Sequence, residues 1–143
     1  MKHTISALAR VGAAGAIIAI AAGCSAAPSA KVPTGADLKG TWIQAGDGYE
    51  RGVRVTPENK GFEATVVIAE ADGQAFTGYK EHTDPGEKPQ REVVHGVVGP
   101  DGDILITDED GYFDGKLVDG KIRGQYAESG KDAAAINVEL SRQ

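Results

Sequence analysis

The chain has 143 residues, with 21 Asp and Glu against 15 Lys and Arg, a formal charge of −6, one Cys and one Trp. A length of this order suits one domain and leaves no room for two cores of ordinary size. The acidity excludes a nucleic-acid binder and a membrane binder held by headgroup charge, since both need basic patches, and a single cysteine excludes a disulfide framework.

In chain order, Lys2, His3 and Arg10 come first, followed by Val11 to Ala22, a run of only Val, Gly, Ala and Ile. The run is shorter than the roughly 20 residues that span a bilayer, and small residues follow it, as in a cleaved signal segment. Its end, Ile20-Ala21-Ala22-Gly23-Cys24, resembles the lipobox of bacterial lipoproteins, with Ala21 where leucine is usual. The resemblance implies cleavage between Gly23 and Cys24, diacylglycerol on the Cys24 thiol and acylation of the new amine. Residues 1–23 are then a signal peptide, and the protein is lipid-anchored at the extracytoplasmic face of the cell membrane. Two or three acyl chains hold firmly where one binds only reversibly. The alternative is an ordinary secretory cleavage at Ala22-Gly23-Cys24 or Ser25-Ala26-Ala27, which releases a soluble domain.

Loss of Lys2 and Arg10 leaves 13 basic residues against 21 acidic ones, a balance of −8 for the mature chain. Residues 24–37 read as the lipidated N-terminus and a flexible tether, because Ser25 to Asp37 has small residues, Pro28 and Pro33 and no apolar period.

Residues 38–143 read as β throughout. Short runs rich in Val, Ile, Thr, Tyr and Phe alternate with turn dipeptides, the mark of an antiparallel meander. Asp-Gly recurs at Asp72-Gly73, Asp101-Gly102, Asp110-Gly111 and Asp119-Gly120, and such pairs supply the positive φ of tight hairpins. The runs predict strands at Gly40 to Ala45, Gly52 to Val55, Phe62 to Glu70, Ala75 to Glu81, Arg91 to Val98, Ile104 to Thr107, Tyr112 to Leu117, Ile122 to Tyr126 and Ala134 to Leu140, with no helical stripe. The expected fold is an all-β, antiparallel up-and-down barrel of about eight strands, since closure removes exposed edges.

Gly40-Thr41-Trp42 opens the first strand and resembles the Gly-x-Trp of the calycin barrels, the lipocalins and avidins. The resemblance implies that Trp42 plugs one barrel end under a basic side chain from near the chain's end, for which Arg142 or Arg123 is available. It does not extend to the Thr-Asp-Tyr-like segment of lipocalins or to the tryptophan-rich pocket of avidins, so biotin is not implied. From Gly40 onward, the order Phe76-Thr77-Gly78, Val94-His95-Gly96-Val97-Val98, Asp108-Glu109-Asp110-Gly111-Tyr112 and Leu140-Ser141-Arg142 also resembles small lipoproteins and secreted β-domains of actinobacteria.

Catalytic signatures are absent. There is no Gly-x-Ser-x-Gly elbow, phosphate loop or dinucleotide fingerprint, Cys24 is committed to lipid, and Ser129 reads as a loop residue. His82 and His95 lack a metal-binding spacing. Asp108 and Asp110 are weak calcium candidates in an acidic stretch without the order of an EF-hand loop. Carboxylates on strands, Glu63, Glu70, Glu81 and Glu92, carry no specific pairing signal. No enzyme, cofactor or nucleic-acid partner is expected.

The predicted inward positions include some of Trp42, Val53, Val55, Val66, Ile68, Phe76, Val94, Val97, Ile104, Ile106, Phe113, Leu117, Ile122, Tyr126, Ile136, Val138 and Leu140. Their bulk predicts a filled interior, with function on the rim and above all on the Pro-containing connection from Glu81 to Gln90. The main expectation is therefore an anchored, non-enzymatic interaction module meeting an envelope or external protein. The alternative is a lipocalin-like carrier of a small apolar ligand.

Overall fold

The computed structural model describes residues 31–83, 86 and 88–143. Gly23 and Cys24, with the expected leader and anchor, lie outside them. All nine predicted runs become strands: β1 (Gly40–Glu50), β2 (Val53–Val55), β3 (Ala64–Asp72), β4 (Ala75–His82), β5 (Gln90–Val98), β6 (Asp103–Thr107), β7 (Gly111–Val118), β8 (Lys121–Glu128) and β9 (Ala134–Arg142). The first runs past the expected Ala45. Gly46 and Gly48 carry no side chain, and a Cβ at Gly48 would run into the Ala135 carbonyl, so the extended end of β1 can lie close along β9.

From β3 to β9 each strand pairs antiparallel with the next. The lower half of β1, Gly40–Gln44, pairs with β3, while Trp42–Glu50 pairs with β9 and closes the sheet. The result is a closed eight-stranded up-and-down barrel, with β2 as an extra strand beside the upper part of β1 through Glu50↔Val53 to Gly48↔Val55. An interior of this size is filled by side chains or holds one small ligand.

Turn chemistry follows the Asp-Gly pairs at three of four places. At Asp119 (φ 52°) and Gly120 (φ 77°) both residues are left-handed, as a two-residue hairpin requires, and Gly73 and Gly102 also have positive φ. Gly111 differs, because β7 begins on it. That turn is held instead by Asp108, whose Oδ1 accepts the Gly111 and Asp110 amides at 2.8 and 3.2 Å.

The barrel is packed as alternation dictates, and two of the candidate inward residues face out. Val53 and Val97 are 66% and 43% exposed. Val94, Gly96 and Val98 share the inner face of β5, so the two-residue period turns Val97 outward and makes Val98 the core residue. Val53 sits at the turn end of β2, next to Gly52 at positive φ. Leu117 is partly buried against the core, and the other expected inward residues are buried.

The segment expected to be tether is ordered at its end. Residues Gly35–Leu38 form a single helical turn, α1, with a capping box in which the Thr34 side chain accepts the Asp37 amide and Asp37 Oδ2 accepts the Thr34 amide at 2.8 Å. The Gly35 amide donates to the Gly73 carbonyl at 3.0 Å, and Leu38 is fully buried. One turn is too short to leave a periodic apolar stripe, so only its cap was readable. Among the described residues, no helix is long and apolar enough to cross a membrane.

Candidate functional site

The two barrel ends differ in chemistry. At the end where α1 packs, Trp42 is fully buried and its Nε1 donates to the Leu38 carbonyl at 2.9 Å. The Arg142 guanidinium lies 4.4 Å from the Trp42 ring centre and donates to the carbonyls of Lys39 (2.6 Å) and Asp37 (2.7 Å). Arg123 is elsewhere, bonded to Glu139 Oε2 at 2.8 Å, so Arg142 supplies the cation. This end is shut.

Above the plug, Ile68, Ile104, Ile122 and Leu140 are fully buried. Toward the other end the inward positions turn polar on several strands at once. Phe76 is followed by Lys80 and His82 on β4, Val94 is preceded by Glu92 on β5, Ile106 leads to Asp108, and Tyr126 to Glu128 on β8. Because neighbouring strands are antiparallel, these positions meet at one mouth.

There a cavity of about 400 Å³ opens, lined by Gln44, Phe62, Ala64, Lys80, His82, Glu92, Asp110, Tyr126 and Glu128 among others. Binding cavities for small molecules commonly run ~300–1,000 Å³. A pocket of about 30 Å³ continues below it toward Val66, Val94 and Ile106. The filled-interior expectation therefore fails at the mouth, where long polar side chains replace the aliphatic ones.

Lys80 organises the floor. Its ammonium pairs with Asp108 Oδ2 and lies 2.9 Å from Glu92 Oε2, with little exposure on any of the three. Burial alone lowers a lysine pKa, but bonds and charge from Asp108 and then Glu92 outweigh it and raise the Lys80 value. For Asp108, burial pushes upward, while Lys80 and the Gly111 and Asp110 amides more than offset it and hold the carboxyl below its ordinary range. Tyr126 donates its hydroxyl to Asp108 Oδ1 at 3.2 Å. Burial first, and then the Asp108 charge, drives its phenol far above the ordinary range. His82 Nδ1 stands 3.5 Å from Glu92 Oε1 and has no hydrogen-bond partner among the described residues.

The cavity wall is aromatic on one side. Phe62 and Tyr126 have ring centres 5.3 Å apart, tilted by 52°. Phe62 reaches the mouth because the link between β2 and β3 is tied down. Asn59 Oδ1 accepts the Thr56 and Gly61 amides at 2.9 and 3.0 Å, and Gln44 Nε2 donates to the Phe62 carbonyl at 3.3 Å.

Other residues singled out in the sequence are placed as follows. His95 is exposed and within 3.0 Å of Thr77 Oγ1, and the β4–β5 register sets it opposite Thr77, apart from His82. Glu81 pairs with Arg91 and Glu63 with Lys60, while Glu70 is exposed. Among the described residues no three His, Cys, Asp or Glu side chains gather as a metal site. Asp108, one of the calcium candidates, serves Lys80, Tyr126 and the β6–β7 turn, while Asp110 lies on the rim. The Glu81–Gln90 connection gives His82, Thr83 and Gln90 to the cavity, and its Asp84, Pro85 and Glu87 are outside the described residues.

Fold and site together define a closed eight-stranded barrel, plugged at one end and open at the other above a buried charged network. No family model matches the chain, and no curated protein matches it. Among solved structures it is similar to the zebrafish ileal bile acid-binding protein complexed with cholic acid. The TM-score is 0.42 at 17% identity, covering 73% of this chain and 98% of that one.

Proposed function

We propose that this protein is a lipid-anchored, non-enzymatic binding barrel at the cell envelope whose open end takes a small ligand. The observation that carries the binding part is the cavity of about 400 Å³ at the mouth. An interaction module was the leading expectation because a full interior leaves no ligand cavity. With a cavity present, the carrier reading is the stronger one. Phe62 and Tyr126 offer an apolar wall and the charged floor offers polar contacts, so the ligand that fits has an apolar body and a polar head.

The anchoring part rests on the Cys24 lipobox resemblance. The chain enters the barrel at the plugged end, where Gln74 Nε2 donates to the Pro33 carbonyl at 3.4 Å and α1 packs under Trp42.

Native mass spectrometry of the protein released from its own cells tests the binding part, with a retained small molecule as the expected result. A protein that neither retains nor takes up any small amphiphile overturns it. Cys24→Ala tests the anchor. The variant should leave the membrane fraction or accumulate unprocessed, and a variant still fractionating as mature lipoprotein contradicts that part alone.

A further inference from the structure

We infer that the mouth selects a ligand whose polar head is a cation, an amine or quaternary ammonium held by Glu128 and Asp110 with its apolar body against Phe62 and Tyr126. This rests on the ligand-binding reading above and names the ligand's class.

The charge inventory of the cavity points that way. Among the described residues, six lining carboxylates face three lining cations, and each of those cations is already committed. Lys80 lies between Asp108 and Glu92, Lys60 is paired with Glu63 at 3.3 Å, and Arg51 with Glu50 at 2.9 Å and Asp132 at 3.8 Å. Among the described residues no cation pairs with Glu128 or Asp110. The two are neighbours, because the β7–β8 register sets Glu128 opposite Gly111, the residue after Asp110. Partial burial, then the charges of Asp110, Asp132, Glu50 and Asp108, raise the Glu128 pKa, as expected of a carboxylate short of a counter-ion.

The surroundings suit an organic cation better than a metal ion. The described residues bring no three metal-ligating side chains together, whereas two aromatic rings stand in the same cavity. A ring face attracts ammonium, and desolvation against it favours a large, weakly hydrated cation. An anionic head meets the reverse situation. Lys80, the cation deepest in the cavity, has its charge balanced by two carboxylates and is covered by the Tyr126 ring 5.6 Å away.

Calorimetric titration with three probes of one shape tests this: benzyltrimethylammonium, benzyl alcohol and phenylacetate. The cation should bind about fivefold tighter than the alcohol, as one partly exposed ion pair and one ring contact allow, and phenylacetate should bind weakest. In the Glu128→Gln/Asp110→Asn double variant the cation should fall to the alcohol's affinity while the alcohol itself is unchanged, which also shows that the variant is folded. Equal affinities in the native protein, or a preference for phenylacetate, overturn the cation inference and leave the binding barrel standing. Failure of all three probes overturns both.

Discussion

Arg142 and Trp42 sit directly opposite one another in the β1–β9 register, and that pairing places the guanidinium 4.4 Å from the indole ring. The last strand thus seals the barrel on the first. Arg142 also bonds the Lys39 and Asp37 carbonyls, so one side chain fastens the strand pair to the turn that leads into it. Arg142→Ala should cost about 1–3 kcal/mol, from an exposed cation–π contact and two charge-assisted hydrogen bonds. Trp42→Ala should cost ~3–5 kcal/mol, as a large buried aromatic does. Arg123→Ala, which removes only an exposed pair with Glu139, should cost under about 1 kcal/mol. Urea unfolding of the three variants checks the order.

Lys80 is the side chain on which the mouth depends. Lys80→Met leaves Asp108 and Glu92 facing each other without a cation and should destabilise by about 3 kcal/mol or more. The acid limb of the stability profile follows from Asp108. Its folded pKa lies below the ordinary 3.8, so its contribution is complete above that value and is lost as pH falls through the depressed one. Asp108→Asn should flatten that limb, which unfolding curves at a series of acidic pH values measure.

Tyr126 should not ionise while the protein is folded. Its phenol is raised far above the ordinary 10.0, so alkaline titration of the native protein should show no phenolate from Tyr126. Unfolding at high pH should then add the Tyr126 phenolate. Because the folded state holds this proton more tightly than the unfolded chain, Tyr126 costs stability as pH rises past 10.0. Tyr126→Phe should leave the native titration unchanged and remove the step on unfolding.

Gly111 is a spacing residue for the same tyrosine. A Cβ there would stand 2.5 Å from the Ala127 carbonyl oxygen and 2.6 Å from the Tyr126 hydroxyl. Gly111→Ala should destabilise by about 1–3 kcal/mol through overpacking and weaken the Tyr126 bond to Asp108. Thermal unfolding, together with an earlier onset of Tyr126 ionisation, reports both.

The strand pattern was legible because β-branched and aromatic runs and Asp-Gly turns act locally, and all nine strands fall where those signals lie. The Gly-x-Trp resemblance pointed to Trp42 and left Arg142 and Arg123 open as the cation beside it. The mouth was not read, although its signal was present. Continuing the two-residue period from Phe76 leads to Lys80 and His82, from Val94 back to Glu92, and from Tyr126 on to Glu128. Those polar residues look like solvent-facing positions until the antiparallel register brings them to one end. Val97 and Val98 show the same limit in reverse, since two adjacent valines leave the phase of the alternation open and only pairing with β4 and β6 settles it. Thr34 and Asp37 carried a readable cap, but a single turn has no period to support it.

The central claim is that the open end, and no other surface, takes the ligand. Amide chemical-shift mapping of the protein titrated with benzyl alcohol tests it most directly. The account predicts changes grouped at Gly61 to Ala64, His82, Glu92 and Tyr126 to Glu128, with the Trp42–Arg142 end unmoved. Changes centred on the plugged end or on the exposed outer residues Val93, Val97 and Leu105 would contradict it.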